Sequence, residues 1–250
     1  MSRSIAFLRA TVAGGFTFLC LYLLATPFVV HARLTGRIQP LYSVALWIVR
    51  NALRLAGVTI VVTGRENLLQ RTCVYMANHQ SNIDPPILFV ALPPRIAMMG
   101  KKQVFSIPVL GSALHAGDFV PVHRENPEEA RESVEVALEK LRRGVSFLVY
   151  PEGHRSWDGR LLPFKHGVFV LAIRGGVPIV PITVDGATGL MPKGRWEIYP
   201  GVVRVTIHPP VETANRKVEE RRKVGREVRA VIASALPPEL RGDATDDRAN

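Results

Sequence analysis

A histidine and an aspartate, separated by four residues, stand between a short apolar run and a stretch that opens with two prolines. They are His79 and Asp84, and Pro85 and Pro86 follow directly. With Asp84 as the cap, the prolines would fill first-turn positions of a helix, where a missing N–H group costs little. A carboxylate this close can orient the histidine ring, stabilise its protonated form and leave the other ring nitrogen to take a proton. The alternative is that Asp84 only caps its helix and that His79 is a polar turn residue.

The sequence offers no nucleophile motif beside this pair. It contains no Gly-x-Ser-x-Gly elbow, so a serine hydrolase is not indicated, and direct transfer to a bound hydroxyl is the chemistry expected. Cys20 and Cys73 lie in neither a Cys-x-x-Cys nor a Cys/His spacing that would hold zinc. We therefore expect no metal site and no disulfide framework.

Basic residues recur where the predicted strands end. Arg124 ends one strand, Arg155 follows another beside Glu152 and Gly153, and Lys165 precedes a helix. The glycine frees the backbone to turn tightly, the planar guanidinium fork of Arg155 suits phosphate oxygens, and a helix N-terminus favours an anion. As a set they predict a phosphate pocket. Taken singly, each arginine can be a solvated surface charge, and the glutamate can pair with one of them.

From residue 58 onward, short β-branched runs alternate with helical stretches. The predicted strands are Val58–Val62, Thr72–Met76, Ile96–Met99, Phe119–Val122, Ser146–Tyr150, Ile179–Val184 and Val202–Ile207. The predicted helices are Pro85–Leu92, Pro127–Arg143, Gly167–Arg174 and, in outline, Lys217–Leu236. This alternation predicts an α/β fold with a layered mixed sheet flanked by helices.

A hydrophobic, membrane-associating helical segment precedes this domain. The run Ala10–Val30 contains no charged residue, with Arg3 and Arg9 before it and Arg33 and Arg37 after it. Its length suffices to cross a hydrocarbon core. Arginines are more numerous behind the run, where Arg50 and Arg54 follow Arg33 and Arg37, and this excess would then keep the rest of the chain in the cytoplasm. We expect the inner membrane, with the catalytic domain on its cytoplasmic face. A cleaved signal peptide and a buried helix of a soluble domain are the alternatives.

The next apolar stretch, Leu41–Gly57, has a different pattern. Arg50 and Arg54 lie four residues apart on one helical face, while another face is shared by Leu46, Val49 and Leu53. This pattern predicts a helix in the interface plane with its arginines toward lipid headgroups. The alternative is a core-packing helix with a solvated edge.

The composition and net charge of the chain limit its possible folds and partners. The chain has 250 residues, 47% of them hydrophobic and 21% charged, which excludes disorder for most of its length. A net charge of +11 predicts attraction to nucleic acid, an anionic membrane face or phosphorylated substrates. We divide the chain into membrane-anchoring and interfacial helices (1–57), a catalytic domain (58–237) and a flexible tail (238–250).

Four segments, in this order, resemble the glycerolipid acyltransferases of the 1-acylglycerol-3-phosphate acyltransferase family. His79–Asp84 matches the His-x4-Asp motif of the family, and Gly117–Arg124 matches its second block. Tyr150–Ser156 matches the Phe-Pro-Glu-Gly-Thr-Arg-Ser block, and Val177–Ile182 matches the fourth block. The match covers roughly residues 60–190.

The resemblance implies a membrane-associated enzyme without a cofactor. It would move an acyl group from acyl-CoA or acyl carrier protein, as co-substrate, to the hydroxyl of a lysophospholipid, above all 1-acylglycerol 3-phosphate, giving phosphatidic acid. His79 would be the general base and Asp84 its orienting partner. The glycerophosphate site would comprise Arg124, Glu152, Gly153 and Arg155, with electrostatic assistance from Lys101 and Lys165. The fourth block would help to shape the acyl passage, and the partners would be membrane lipids rather than nucleic acid.

Three residues depart from the family pattern. His154 replaces threonine, Tyr150 replaces phenylalanine, and His123 stands where an acidic residue is commoner. Either histidine could change the acceptor headgroup. The alternatives are therefore an acyltransferase for another lysolipid or for glycerol 3-phosphate, and a non-catalytic module that binds anionic lipid.

Overall fold

The computed structural model describes residues 2–93, 95–122 and 127–242. At its centre lies a seven-stranded sheet, whose strands are β1 (Val58–Thr63), β2 (Val74–Ala77), β3 (Ile96–Lys101), β4 (Val120–Val122), β5 (Ser146–Val149), β6 (Ile179–Asp185) and β7 (Gly201–Ile207). Their order is β1-β7-β6-β2-β5-β3-β4, and neighbours pair in parallel except for antiparallel β6 and β7. The predicted α/β fold with a mixed sheet flanked by helices is confirmed.

Helices cover both faces of this sheet. The α-helices are α1 (Arg3–Cys20), α2 (Thr26–Thr35), α3 (Gln39–Leu55), α4 (Asp84–Ala91), α5 (Lys102–Phe105), α6 (Leu110–Ala116), α7 (Pro127–Arg142), α8 (Phe169–Gly175), α9 (Ala187–Leu190) and α10 (Arg221–Ser234). A π-helical turn, Leu21–Ala25, joins α1 to α2. Short 3-10 helices span Arg65–Asn67, His166–Val168, Val218–Glu220 and Pro238–Leu240.

Alternating side chains divide the core into two layers. In β2, Tyr75 and Ala77 face the cluster that includes α3, α4 and α9, while Val74 and Met76 face the cluster that includes α7, α8 and α10. All four side chains are buried because β2 lies between β5 and β6. Strands buried on both faces are expected to be continuously apolar, as this one is.

The parallel strands place the predicted motifs at one edge. β2, β5, β3 and β4 are consecutive in the sheet and run in the same direction, so their carboxyl ends meet at the same side. The loops after β2 and β5 are therefore neighbours, and they carry His79 and Glu152 respectively. Chemistry at the carboxyl edge of the strands is the usual arrangement in α/β sheets.

All seven strands were predicted to within two residues of their observed ends. The four predicted helices also occur, although those expected at 167 and 217 begin with a 3-10 turn. The short helices α5, α6 and α9 were not predicted. These helices are too short to show a helical repeat, and they depend on packing against distant parts of the chain. In α6, for example, Ala113 and Ala116 contact the cluster formed by the N-terminal helices.

The N-terminal helices pack against the sheet domain along one side and leave apolar side chains exposed on the other. Arg3–Thr35 is the one helical run, among the described residues, whose length and hydropathy would suffice to span a membrane. Ala13 on α1 and Leu53 on α3 join the core beneath the sheet, as the core-packing alternative required, while Arg50 and Arg54 are exposed. The division into residues 1–57, 58–237 and 238–250 stays a prediction.

Tyr42 fixes α3 to the sheet, which leads to a stability prediction. Its buried hydroxyl accepts a hydrogen bond from the backbone N–H of Ile96, at 2.8 Å, and donates one to the carbonyl of the same residue. Tyr42→Phe should lower the free energy of unfolding by about 1–3 kcal/mol, because both buried backbone groups lose their partner. Chemical denaturation followed by circular dichroism measures this change.

Tyr22→Phe is the matched control, because its hydroxyl has no hydrogen bond within the described ranges. Equal stability losses in the two variants would contradict the assigned role of Tyr42.

Candidate active site

His79 and Asp84 are hydrogen-bonded in the turn between β2 and α4. Nδ1 of the imidazole lies 2.8 Å from Oδ2 of the fully buried aspartate. The same oxygen accepts hydrogen bonds from the backbone N–H groups of Gln80 and Ser81, each at 2.7 Å. A carboxylate can only accept, so Nδ1 carries the proton in this contact and Nε2 presents its lone pair.

Asp84 does not cap its own helix, contrary to our expectation. The residue before α4 is Ile83, and no side chain caps this helix. With Asp84 as cap, the second helical position would be Pro86, which has no N–H to offer, and the N–H of Ile87 is already donated to the carbonyl of Ile83. The carboxylate therefore turns back to the amides of Gln80 and Ser81. We call the segment Asn78–Ile83, between β2 and α4, the histidine turn.

Tyr150, the first residue after β5, covers the imidazole. Its ring is stacked on that of His79, with centroids 4.0 Å apart and an interplanar angle of 17°. The side chain of His79 is only 11% exposed. Burial, and secondarily the charge of Asp84, holds the pKa of the Tyr150 hydroxyl well above its ordinary value, so the stacked ring stays neutral.

Glu152 accepts a hydrogen bond from the backbone of the histidine turn. Its Oε1 accepts a hydrogen bond from the backbone N–H of His79 at 2.7 Å, and its Oε2 accepts one from Leu162 at 3.2 Å. Burial raises the pKa of Glu152 to about 8, outweighing these two hydrogen bonds, which lower it. Both oxygens are thus engaged by the backbone, and the predicted contact of Glu152 with a glycerophosphate stays a prediction.

Further hydrogen bonds tie the histidine turn to its neighbours. Ser156 donates its backbone N–H to the carbonyl of His79 at 2.9 Å, and the Ser81 hydroxyl donates to the carbonyl of Met191 at 2.7 Å. The amide of Asn78 donates to the carbonyl of Val184 and accepts from its N–H. The sequence predicts no role for Asn78 or Ser156; the one signal for them is position, since Asn78 directly precedes the His79–Asp84 motif and Ser156 ends the Tyr150–Ser156 block.

Gly153, Lys165 and Arg155 lie on the loop beside the imidazole. Gly153 has φ +76°, and a Cβ there would lie 2.9 Å from Cε of Lys165, so the lysine packs across the bare glycine. Arg155 is half-buried, its carbonyl accepts a hydrogen bond from Nζ of Lys193 at 2.7 Å, and its guanidinium has no acidic partner in the described part of the chain.

Lys101, a further predicted site residue, lies farther along the same edge. Lys101 is exposed at the carboxyl end of β3, opposite Val122 of β4 and two strands away from β2. Arg124 and His123 lie outside the described residues. The fourth block runs into β6, where Ile179, Val180 and Ile182 are fully buried in the core, so its part in an acyl passage stays a prediction.

Two cavities flank the histidine turn on opposite sides of the sheet. An apolar one of about 300 Å³ lies among α1, α3, α4 and α6 and reaches Pro85 and Pro86, directly after Asp84. The other, of about 710 Å³, lies against α7 and α8; Tyr150 and Gly153 line it together with the cations Arg131, Lys165, Arg174 and Arg221. Of these, Arg174 pairs with Glu135. Within residues 2–93, 95–122 and 127–242, no cluster of acidic, histidine or cysteine side chains could hold a metal ion.

The raised pKa of Glu152 leads to a pH prediction. The folded chain keeps the proton on this carboxyl up to about pH 8, whereas the unfolded chain releases it near the ordinary value of 4.5. Stability should therefore fall as pH rises between these values, by at most about 1.4 kcal/mol per pH unit. Glu152→Gln should remove this slope, which denaturation midpoints at several pH values measure.

The exposed Glu66→Gln serves as the control and should keep the wild-type slope. The same slope in the wild type and in Glu152→Gln would show that Glu152 is ionised throughout.

Known proteins resemble this chain in sequence and in structure. Residues 59–185 match the family model described as Acyltransferase. A chloroplastic 1-acyl-sn-glycerol-3-phosphate acyltransferase of Brassica napus is 40% identical over 60% of this chain and 44% of its own length. One of Chlamydomonas reinhardtii is 34% identical over 80% of this chain and 59% of its own. The chain thus spans about half the length of these curated relatives.

A solved structure covers more of the chain. The 1-acyl-sn-glycerophosphate (LPA) acyltransferase PlsC from Thermotoga maritima superposes with a TM-score of 0.78 at 30% identity, over 92% of this chain and 95% of that one. The matched family segment runs from β1 to the end of β6 and includes the His79–Asp84 pair and the loop that holds it. By its sequence and its fold, the chain belongs to the Acyltransferase family.

Proposed function

We propose that this protein transfers an acyl group from acyl-CoA or acyl carrier protein to the free hydroxyl of 1-acylglycerol 3-phosphate, producing phosphatidic acid. The observation that carries the proposal is the buried His79–Asp84 pair, whose Nε2 has no hydrogen-bond partner among the described residues. It is supported by the relatives from Brassica napus and Chlamydomonas reinhardtii, which are named as 1-acyl-sn-glycerol-3-phosphate acyltransferases.

The reaction needs one base and no covalent enzyme intermediate. Nε2 of His79 takes the proton of the acceptor hydroxyl as its oxygen bonds to the thioester carbonyl carbon, and Asp84 stabilises the imidazolium. The carbon–sulfur bond then breaks, and the proton passes from His79 to the leaving thiolate. The products are the new ester and the free thiol, and the base is regenerated. General base catalysis of this kind contributes about 10²–10⁴-fold.

The cation-lined cavity suits the phosphate of the acceptor, and the apolar cavity suits an acyl chain. Cations line the larger cavity beside Gly153, and Arg155 lies on the same loop, so a phosphate there would find several charge-assisted donors. The apolar cavity beyond Pro85 suits an acyl chain, since each methylene kept from water is worth about 0.8 kcal/mol. His79 lies on the turn between them.

We further propose that the Arg3–Thr35 run lies along one leaflet. At about 1.5 Å per residue it is about 50 Å long, and if it crossed the bilayer its ends would lie on opposite sides. Both ends contact the catalytic domain: Arg3 pairs with Glu197, and Arg33 donates to the hydroxyl of Ser112 at 2.9 Å. The exposed apolar side chains of this run would enter the acyl region of the cytoplasmic leaflet.

Replacing the proposed base tests the function directly. In purified protein, His79→Ala should lower kcat/KM for lysophosphatidate at least about 10³-fold, because both the base and its orientation are lost. Product mass with labelled acyl donors and a panel of lysolipids gives the rates and the acceptor preference. His115→Ala, an exposed histidine on α6, is the control and should keep the wild-type rate. Normal turnover by His79→Ala would overturn the assignment.

Arg155 is assigned to the acceptor phosphate. Arg155→Gln should raise KM for lysophosphatidate by about 10–100-fold with a smaller change in kcat, because a charge-assisted hydrogen bond is lost. Arg160→Gln is the matched control: it lies on the same loop, but is exposed and within 3.6 Å of Asp158. An unchanged KM in Arg155→Gln would remove this residue from the phosphate site.

A further inference from the structure

Two of the three tryptophans lie on the surface of the loops that hold the histidine turn. Trp157 is 71% exposed and Trp196 is 77% exposed. Nζ of Lys193 lies 4.2 Å from the ring centroid of Trp157, and a Cβ at Gly194 would lie 3.7 Å from Cζ3 of the same ring. We name Trp157, Trp196 and the cations Lys193 and Arg195 the tryptophan patch.

Hydrogen bonds from residues next to this patch connect its two loops to the histidine turn. Ser156, the neighbour of Trp157, donates its backbone N–H to the carbonyl of His79. On the other side, Ser81 donates its hydroxyl to the carbonyl of Met191, five residues before Trp196. A partner that binds to Trp157 and Trp196 would therefore lie beside the edge of the sheet that carries His79.

The patch also continues onto the first turns of α1. Ile198 donates its backbone N–H to the carbonyl of Ala6 at 3.2 Å, and Arg3 pairs with Glu197. The side chains of Phe7 and Leu8 on these turns are more than half exposed. Exposed aromatic and aliphatic side chains thus extend from α1 to the loop beside His79.

Its chemistry fits a lipid surface. Indole rings favour the boundary between headgroups and acyl chains, and basic residues near an anionic leaflet add attraction. Both nearby carboxylates have cationic partners, because Asp158 lies 3.6 Å from Arg160 and Glu197 is paired with Arg3. Lys193 and Arg195 therefore leave the patch positively charged.

We propose that the tryptophan patch docks on an anionic bilayer and sets the mouth of the active site against the lipid. The inference rests on the proposed function, for which it supplies the route of the acceptor: the lysolipid reaches His79 from the leaflet without crossing water. It adds a second membrane contact to that of the N-terminal helices.

Single-tryptophan variants of the full chain test this directly. One variant keeps Trp157 (Trp47→Phe with Trp196→Phe), another keeps Trp196, and a third keeps Trp47 on α3 as the reference for the N-terminal helices. Each is mixed with vesicles of phosphatidylglycerol and phosphatidylcholine whose acyl chains are brominated. The emission of Trp157 and of Trp196 should shift to shorter wavelength and be quenched by bromine. Quenching of Trp47 alone, or a shift without lipid that follows protein concentration, would overturn the proposal.

A second measurement separates docking from catalysis. Replacing Trp157 and Trp196 together by serine should weaken binding to these vesicles about tenfold or more. Acyl transfer to a short-chain lysophosphatidate in monomeric solution should stay within about twofold, since no catalytic group changes. Unchanged vesicle affinity would contradict docking. Absence of acyl transfer in the wild type would refute the proposed function and leave the quenching result standing.

Discussion

The hydrogen bond between the His79 imidazole and the buried Asp84 carboxylate is the constraint around which this edge of the molecule is arranged. A buried carboxylate needs hydrogen-bond donors to offset its desolvation, and here one oxygen of Asp84 accepts from the ring and from two backbone amides. That compensation exists only while the turn between β2 and α4 keeps its shape. The same contact decides which ring nitrogen is protonated and leaves the other to accept a proton. Stability of the turn and reactivity of the ring therefore have one physical cause.

The order of strands in the sheet brings distant residues to the His79–Asp84 motif. Because β5 lies beside β2 and runs parallel to it, the loop after β5 reaches the histidine turn from the adjacent position. It contributes the ring of Tyr150 above the imidazole and the carboxyl group of Glu152 behind its backbone. The opposite sides of the sheet then provide an apolar cavity and a cation-lined cavity, with the turn between them. The proposed reaction, which joins an acyl chain to a phosphorylated acceptor, needs both surroundings at one base.

Much of this arrangement could be predicted from the sequence, since local patterns carry it. β-branched runs located the seven strands, and the spacing of His79 and Asp84 predicted their contact. Contacts between residues far apart in the chain could not be predicted, because no local sequence pattern indicates them. The direction of the Asp84 carboxylate depends on the occupied N–H of Ile87, and the ion pair of Arg3 and Glu197 joins residues 194 positions apart. On that ion pair rests our proposal that the first helical run lies along one leaflet, whereas its hydropathy alone would place it across a bilayer.

The tautomer of His79 tests the central claim most directly. Long-range nitrogen–proton correlation spectra of the ¹⁵N-labelled protein in micelles, with the His79 signals identified by their absence in His79→Ala, report which ring nitrogen bears the proton. We predict a neutral ring protonated at Nδ1, and loss of that preference in Asp84→Asn. A neutral ring protonated at Nε2 in the wild type would contradict the account, because that nitrogen could then take no proton from the acceptor.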